Sequence, residues 1–192
     1  MDFAPLTELE AVNLMLAGIG EAPVLSLPAT GEAFIAQTIL HNASRALQQR
    51  GWHFNCESDF PLPGYPGGGT IQVPSNTLKI DVTSTTDDVI QRGQSLYNKT
   101  THSGVFPDGG VKVEITLFLE FTEIPQSARN YICVKAARDF SKKVLGSDTL
   151  ASLTAQDELE AKAAFLEAEA DTGDYSIFDS PATARVLQRS FR

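Results

Sequence analysis

Glu158, Glu160, Glu167 and Glu169 are side chains able to act as acid and base. Two carboxyl groups flanking a glycosidic bond are the machinery of glycoside hydrolysis. Residues two apart on a helix point to different sides, however, so neither Glu158/Glu160 nor Glu167/Glu169 makes a site by itself. His41, His53 and His102 have the chemistry of bases or ligands, but no HxxxH or Cys/His spacing groups them. Gly67-Gly68-Gly69-Thr70 has the glycines of a phosphate loop without the Gly-Lys-Ser/Thr that must follow, and without a strand-loop-helix setting. Trp52, directly after Gly51, offers a flat face for a sugar ring, although a single Trp at such a junction more often anchors a core. Cys56 and Cys133 belong to no CxxC or metal-ligand pattern and read as two reduced, partly buried thiols, suited to assembly in a reducing cytoplasm. The polar run Lys99-Thr100-Thr101-His102 reads as a loop available to a partner. None of these residues is assigned a catalytic, cofactor-binding or metal role. The chemistry points to structure rather than turnover.

A chain of 192 residues has room for one hydrophobic core, or for two small lobes sharing one. With 42% hydrophobic and 20% charged residues it has the composition of a folded protein. The formal net charge of -9 argues against wrapping nucleic acid, which requires Lys and Arg to meet phosphates. It suits a surface that DNA passes without sticking. No Lys or Arg precedes Arg45, so a basic secretory signal is not expected. The longest charge-free stretch, Phe60 to Leu78, carries Pro61, Pro63, Pro66 and Pro74, and no membrane span is expected.

Several elements must position these residues. Thr7 and Glu10 form a capping pattern ahead of Ala11, Val12, Met15, Leu16 and Ile19 at helical spacing, closed by Gly18 and Gly20. A second helix is expected from about Gly31 to Arg50, with Phe34, Ile35, Thr38, Ile39, Ala43, Ala46 and Leu47 as its buried stripe, stopped by Gly51. The period then changes to two. Val111 to Phe121 reads as one long strand, with shorter strands at Thr70–Val73, Thr77–Val82, Val89–Gln91 and Gln94–Tyr97 in a small antiparallel sheet. The Pro/Gly-rich run Pro61 to Gly69 reads as an exposed loop. Pro125 starts a third helix that Gly146 closes, and Thr154 with Asp157 starts a fourth whose buried stripe is Leu159, Ala163, Leu166 and Ala170.

The third helix is basic (Arg129, Lys135, Arg138, Lys142, Lys143) and the fourth acidic (Asp157, Glu158, Glu160, Glu167, Glu169, Asp171), so antiparallel packing sets unlike charges side by side. The alternative is two solvated faces. The last dozen residues hold Arg185, Arg189 and Arg192 with no acid.

Glu8-Leu9-Glu10-Ala11-Val12-Asn13 and Leu16-Ala17-Gly18-Ile19-Gly20-Glu21-Ala22-Pro23-Val24 resemble the opening of the phage tail tubular protein A family. The resemblance continues in Gln49-Arg50-Gly51-Trp52-His53-Phe54-Asn55, in Glu123-Ile124-Pro125, in Val134-Lys135-Ala136-Ala137-Arg138-Asp139-Phe140 and near Asp174-Tyr175-Ser176-Ile177-Phe178-Asp179. It implies a structural subunit of the virion tail of a short-tailed phage. In that family a homo-oligomeric ring, usually of twelve copies, joins the portal protein to the hexameric nozzle, tail tubular protein B. Tail fibres attach near the lower junction, and DNA crosses the lumen on ejection without specific binding.

The expected class is α+β: a helical lobe from residues 1–51 and 124–175, an inserted β lobe at 52–123 and a C-terminal arm at 176–192. Gly18, Gly20 and Pro23 (first turn), Gly51 and Trp52 (lobe junction) and Pro125 (return helix) are the architectural candidates, and Arg185, Arg189 and Arg192 the portal-contact candidates. The competing reading is a glycan-degrading or glycan-binding tail protein.

Overall fold

The computed structural model describes residues 4–27, 30–85, 87–146 and 148–173. Helix α1 (Glu8–Gly18) opens with a complete capping box. The Glu10 amide donates to Thr7 Oγ1 at 3.3 Å, and the Thr7 amide donates to Glu10 Oε2 at 2.8 Å. Accepting that bond favours the ionised carboxylate and holds the Glu10 carboxyl below its usual range. The helix ends in a Schellman arrangement: the Glu21 amide reaches back to Leu16 O and the Gly20 amide to Ala17 O, with Gly20 at φ +83°.

Helices α2 (Glu32–Gln48), α3 (Gln126–Leu145) and α4 (Asp148–Thr172) complete the helical part. Helix α3 is the hub, against which α1, α2 and α4 all pack. One buried cluster runs through the four helices, with Met15, Leu40, Ile132, Phe140 and Phe165 at or near full burial. Each such side chain contributes about 1.5–3 kcal/mol from transfer out of water. The α3–α4 hairpin is antiparallel. Arg138–Glu158 and Tyr131–Phe165 are both spaced evenly about Asp148. The expected charge pairing is realised at Arg138, whose Nη1 meets Glu158 Oε2 at 2.5 Å.

Strands β1 (Cys56–Leu62), β2 (Thr77–Val82), β3 (Val89–Arg92), β4 (Ser95–Asn98) and β5 (Val111–Leu117) lie between α2 and α3 in the chain. They form a three-stranded antiparallel sheet in the order β1-β5-β2 and a separate β3-β4 ribbon. A second buried cluster, with Ile71, Leu96, Val113 and Ile115 at its centre, fills this part. The class is α+β.

Several expectations are corrected. The strands make two sheets, not one. Residues Thr70–Val73 form no strand: Gln72 makes an isolated bridge to Ser95, while Ile71 and Val73 are buried. β5 stops at Leu117 instead of continuing to Phe121, because the Phe118 amide turns to Asn76 O and the Leu119 amide to the Gln48 side chain. β1 has no counterpart among the expected strands and takes in Pro61 and Leu62 from the expected loop. As an edge strand it tolerates a proline, and its register shifts between Glu57 and Phe60, where Asp59 has φ +54°.

Helix α4 starts at Asp148, before the expected cap at Thr154. Its buried face carries Ala161, Phe165 and Glu169, whereas Leu159 and Leu166, from the expected stripe, are 62% and 42% exposed. In α2 the buried face is Ala33, Ala36, Ile39, Leu40, Ala43 and Leu47; Phe34 and Ile35 lie outside it, at 46% and 47% exposure. The C-terminal arm, with Arg185, Arg189 and Arg192, lies outside the described residues.

Candidate functional site at the junction of the two cores

The polar side chains with the greatest burial gather where α2 ends and the β strands begin and return. Gln48, fully buried, sits on the last turn of α2. Its Nε2 donates to Ser44 Oγ and Leu119 O, both at 3.0 Å, and its Oε1 accepts the Leu119 amide at 2.8 Å. Asn55, 3% exposed, donates from Nδ2 to Gln48 O at 3.0 Å and to Leu117 O at 2.8 Å. Its Oδ1 accepts the Trp52 amide at 2.8 Å. Two amides thus close the gap where the chain leaves α2 and where it returns from β5, pairing backbone groups that neither helix nor sheet pairs.

Trp52 lies across this junction. Its Nε1 donates to Leu47 O at 2.8 Å, and its ring meets Phe165 edge-on at 4.7 Å. Phe165 also stacks on Tyr131 at 5.8 Å and faces Phe54 at 6.5 Å. Burial, with Glu158 next in effect, raises the Tyr131 phenol above its usual range. Gly51 enters the junction at φ +75°, where a Cβ would approach Thr116 Oγ1 to 3.2 Å. Glu169, 9% exposed, accepts the His53 amide at 2.7 Å and ties α4 to the same place.

A second buried group lies at the start of α3. Arg129, 8% exposed, donates from Nε to Ile124 O at 2.6 Å, from Nη1 to Leu6 O at 3.0 Å and from Nη2 to Thr122 O. It therefore clamps the chain before α1 to the turn before α3 instead of facing α4 as its place in the basic set suggested. Pro125 is the N-cap residue of α3, and the Arg129 amide donates to its carbonyl at 3.0 Å. Gly18 is the last residue of α1, and Pro23 is exposed in the segment that follows. The side chain of Asn13 fixes that segment, bonding both the amide (2.8 Å) and the carbonyl (3.0 Å) of Val24. Asn13, Gln48, Asn55 and Arg129 were not singled out from sequence for these roles. A polar residue at a helical core position, as Gln48 and Arg129 are, is the signal that marks them.

Several of the groups considered for chemistry make structural contacts, while Glu167 lies exposed. Glu158 pairs with Arg138, Glu169 with the His53 amide, and Glu160 Oε1 accepts from Gln156 Nε2 at 2.9 Å. His41 Nε2 lies 2.7 Å from Glu8 Oε1, His53 is exposed, and His102 sits in a turn at φ +53°. The glycine run closes on a neighbouring loop: the Gly69 amide donates to Phe106 O and the Phe106 amide to Gly69 O, at 2.9 and 2.8 Å. A Cβ on Gly110 would come within 2.4 Å of Leu62 O, so these loops pack too closely for side chains there. The Lys99–His102 loop is braced from within: Asn98 Oδ1 accepts the Thr100 and Thr101 amides, and Lys99 pairs with Asp88. Cys133 is buried, and desolvation pushes its thiol up to about 11, while Cys56 is partly exposed. Among the described residues no cluster of His, Cys, Asp or Glu has metal-binding geometry, and no helix is long and apolar enough to cross a membrane.

This arrangement holds two cores in a fixed relation. The family model for tail tubular protein matches residues 9–175, a span that includes every helix and strand described except the first residue of α1. The chain belongs to the tail tubular protein family. It is also 25% identical over 187 residues to tail tubular protein A of Klebsiella phage KP34, covering 97% of this chain and 99% of that protein. As a tail tubular protein it is a structural component of a phage virion tail. Of the groups on which a glycan-directed reading would rest, Glu158, Glu169 and the Trp52 ring are taken up by contacts that hold this tail tubular protein together, while Glu160 and Glu167 lie exposed on one side of α4.

Proposed function

We propose that this tail tubular protein is the adaptor between the portal vertex and the tail nozzle, assembled in the host cytoplasm as a ring of twelve copies through which DNA leaves the capsid. The observation that carries the reading is family membership over a span that includes both cores and the braced junction between them. A ring subunit loaded from two ends needs such a hydrogen-bonded joint. Charge supports it as well. Twelve copies at -9 each give the ring about -108 formal charges, and those that come within about 8–10 Å of the bore repel passing DNA at physiological salt.

In this reading residues 1–51 plus 124–175 form a helical lobe that meets the portal, residues 52–123 form a β lobe that meets the nozzle, and residues 176–192 form an arm that docks on the portal. Tail fibres attach near the lower junction. Sedimentation of the full chain with purified portal and with purified nozzle tests it. Binding to each separately, and bridging of the two, is the expected result; a chain that binds neither overturns the reading.

A further inference from the structure

Helix α4 is apolar on two sides. Its inner side, centred on Phe165, packs against α3. About a third of a turn away, at 100° per residue, a second apolar stripe of Leu159, Ala163, Leu166 and Ala170 faces out, with both leucines more than 40% exposed. The remaining side is acidic, with Asp157, Glu160, Glu167 and Asp171 exposed. A helix with apolar residues on two sides is the pattern of one that is covered twice.

The described surface offers a counterpart on another helix. The side of α2 turned away from the core exposes Phe34 and Ile35, and exposes Arg45 farther along, with Arg50 just beyond the helix end. Arg45 lies 5.7 Å from the Phe118 ring, and His41 on this face is held by Glu8. One surface is therefore apolar beside acid, while the other carries acid at its start, with Glu32 exposed next to Ile35, and base at its far end in Arg45 and Arg50. Both helices lean on α3 and scarcely on each other, so the two surfaces lie on separate flanks.

We propose that the outer stripe of α4 packs on the outer face of α2 of a second copy of this chain, and that this head-to-tail contact, repeated, closes the ring. The inference rests on the ring reading above and names its interface. Two different patches on one chain make a heterologous contact, the kind that generates rings when the rotation closes. The charge pattern sets its direction, since α4 against α4 would oppose acid to acid.

The test uses the full chain, wild type and Leu159→Glu/Leu166→Glu, measured by light scattering alone and on purified portal. The expected result is a ring for the wild type and monomer for the double variant, which keeps the far-UV circular dichroism spectrum of the wild type; the wild type unfolds at the higher midpoint where it is assembled, because ring closure itself adds stability. A ring from both overturns the interface and leaves the ring reading standing; absence of a ring from the wild type, even on portal, overturns both. A second arm does not depend on the folding of that variant. Phe34→Cys and Ala163→Cys together, with Cys56→Ser, should give a ladder of covalently linked oligomers with a flexible bismaleimide that spans any register of the two faces, and either single cysteine should give no ladder. Rings that form without a ladder place α4 against something other than α2 and overturn the proposal.

Discussion

Replacing Gln48 by methionine keeps the volume of the side chain and removes all three of its hydrogen bonds, two of them to the amide and carbonyl of Leu119. A buried backbone group left without its partner costs about 1–3 kcal/mol. Leu119 is only half-buried, so water recovers part of that loss, and the expected destabilisation is about 2–4 kcal/mol. Urea unfolding followed by far-UV circular dichroism reads this directly, with an unchanged slope if the folded state is otherwise intact. Gln48→Glu sharpens the test. The new carboxylate still accepts the Leu119 amide but has no proton to give Leu119 O, and burial raises its pKa above the unfolded value of about 4.3. With the folded pKa raised, the variant is close to wild type in acid and loses stability as the pH rises from the unfolded pKa to the folded one, by about 1.4 kcal/mol for each pH unit between them. The methionine variant shows no such dependence. A loss below about 1 kcal/mol for methionine, or a pH-independent loss for glutamate, refutes the claim that this amide joins the two cores.

Three further outcomes are expected. Phe165→Ala removes a fully buried ring that touches Trp52, Phe54 and Tyr131, and should cost about 3–5 kcal/mol in the same unfolding assay, whereas Leu159→Ala should stay within about 0.5 kcal/mol when measured below the concentration at which rings form. With the Cys133 thiol held at about 11 in the folded chain and near 9.0 unfolded, stability should fall as pH rises from 9.0 to about 11, on the order of 2–3 kcal/mol, with Tyr131 adding in the same direction; Cys133→Ala should flatten the thiol's share of that decline, and at pH 8 only Cys56 should alkylate quickly. Deleting residues 185–192, which removes Arg185, Arg189 and Arg192, should weaken co-sedimentation with portal and leave the unfolding midpoint unchanged; undiminished binding removes the arm from the docking account.

Local signals carried the helical architecture. The Thr7/Glu10 capping box and the Gly20 and Gly146 stops are each determined by a few adjacent residues, and the structure has them where the sequence places them, while the period-two run starts at Val111 as expected but ends at Leu117 and not at Phe121. What escaped depends on partners distant in the chain. Helix α4 has two apolar stripes, and hydrophobic spacing alone cannot say which faces α3. The choice falls to the side bearing Phe165 because Glu158 and Glu169 find Arg138 and the His53 amide there, contacts that span 20 and 116 positions. Strand β1 went unseen because an edge strand with a bulge at Asp59 and a proline at 61 exposes most of its side chains and shows no clean alternation. Of the junction amides, Gln48 is marked only by its place on the core face of α2, and Asn55 looks like a surface residue until the ends of β5 and α2 are brought together.

Native mass spectrometry of the full chain on purified portal counts the subunits that assemble there. The expected species is a portal-bound ring of twelve subunits, about 248 kDa from chains of 20.7 kDa. A chain that stays at 20.7 kDa with portal present at saturating concentration contradicts it.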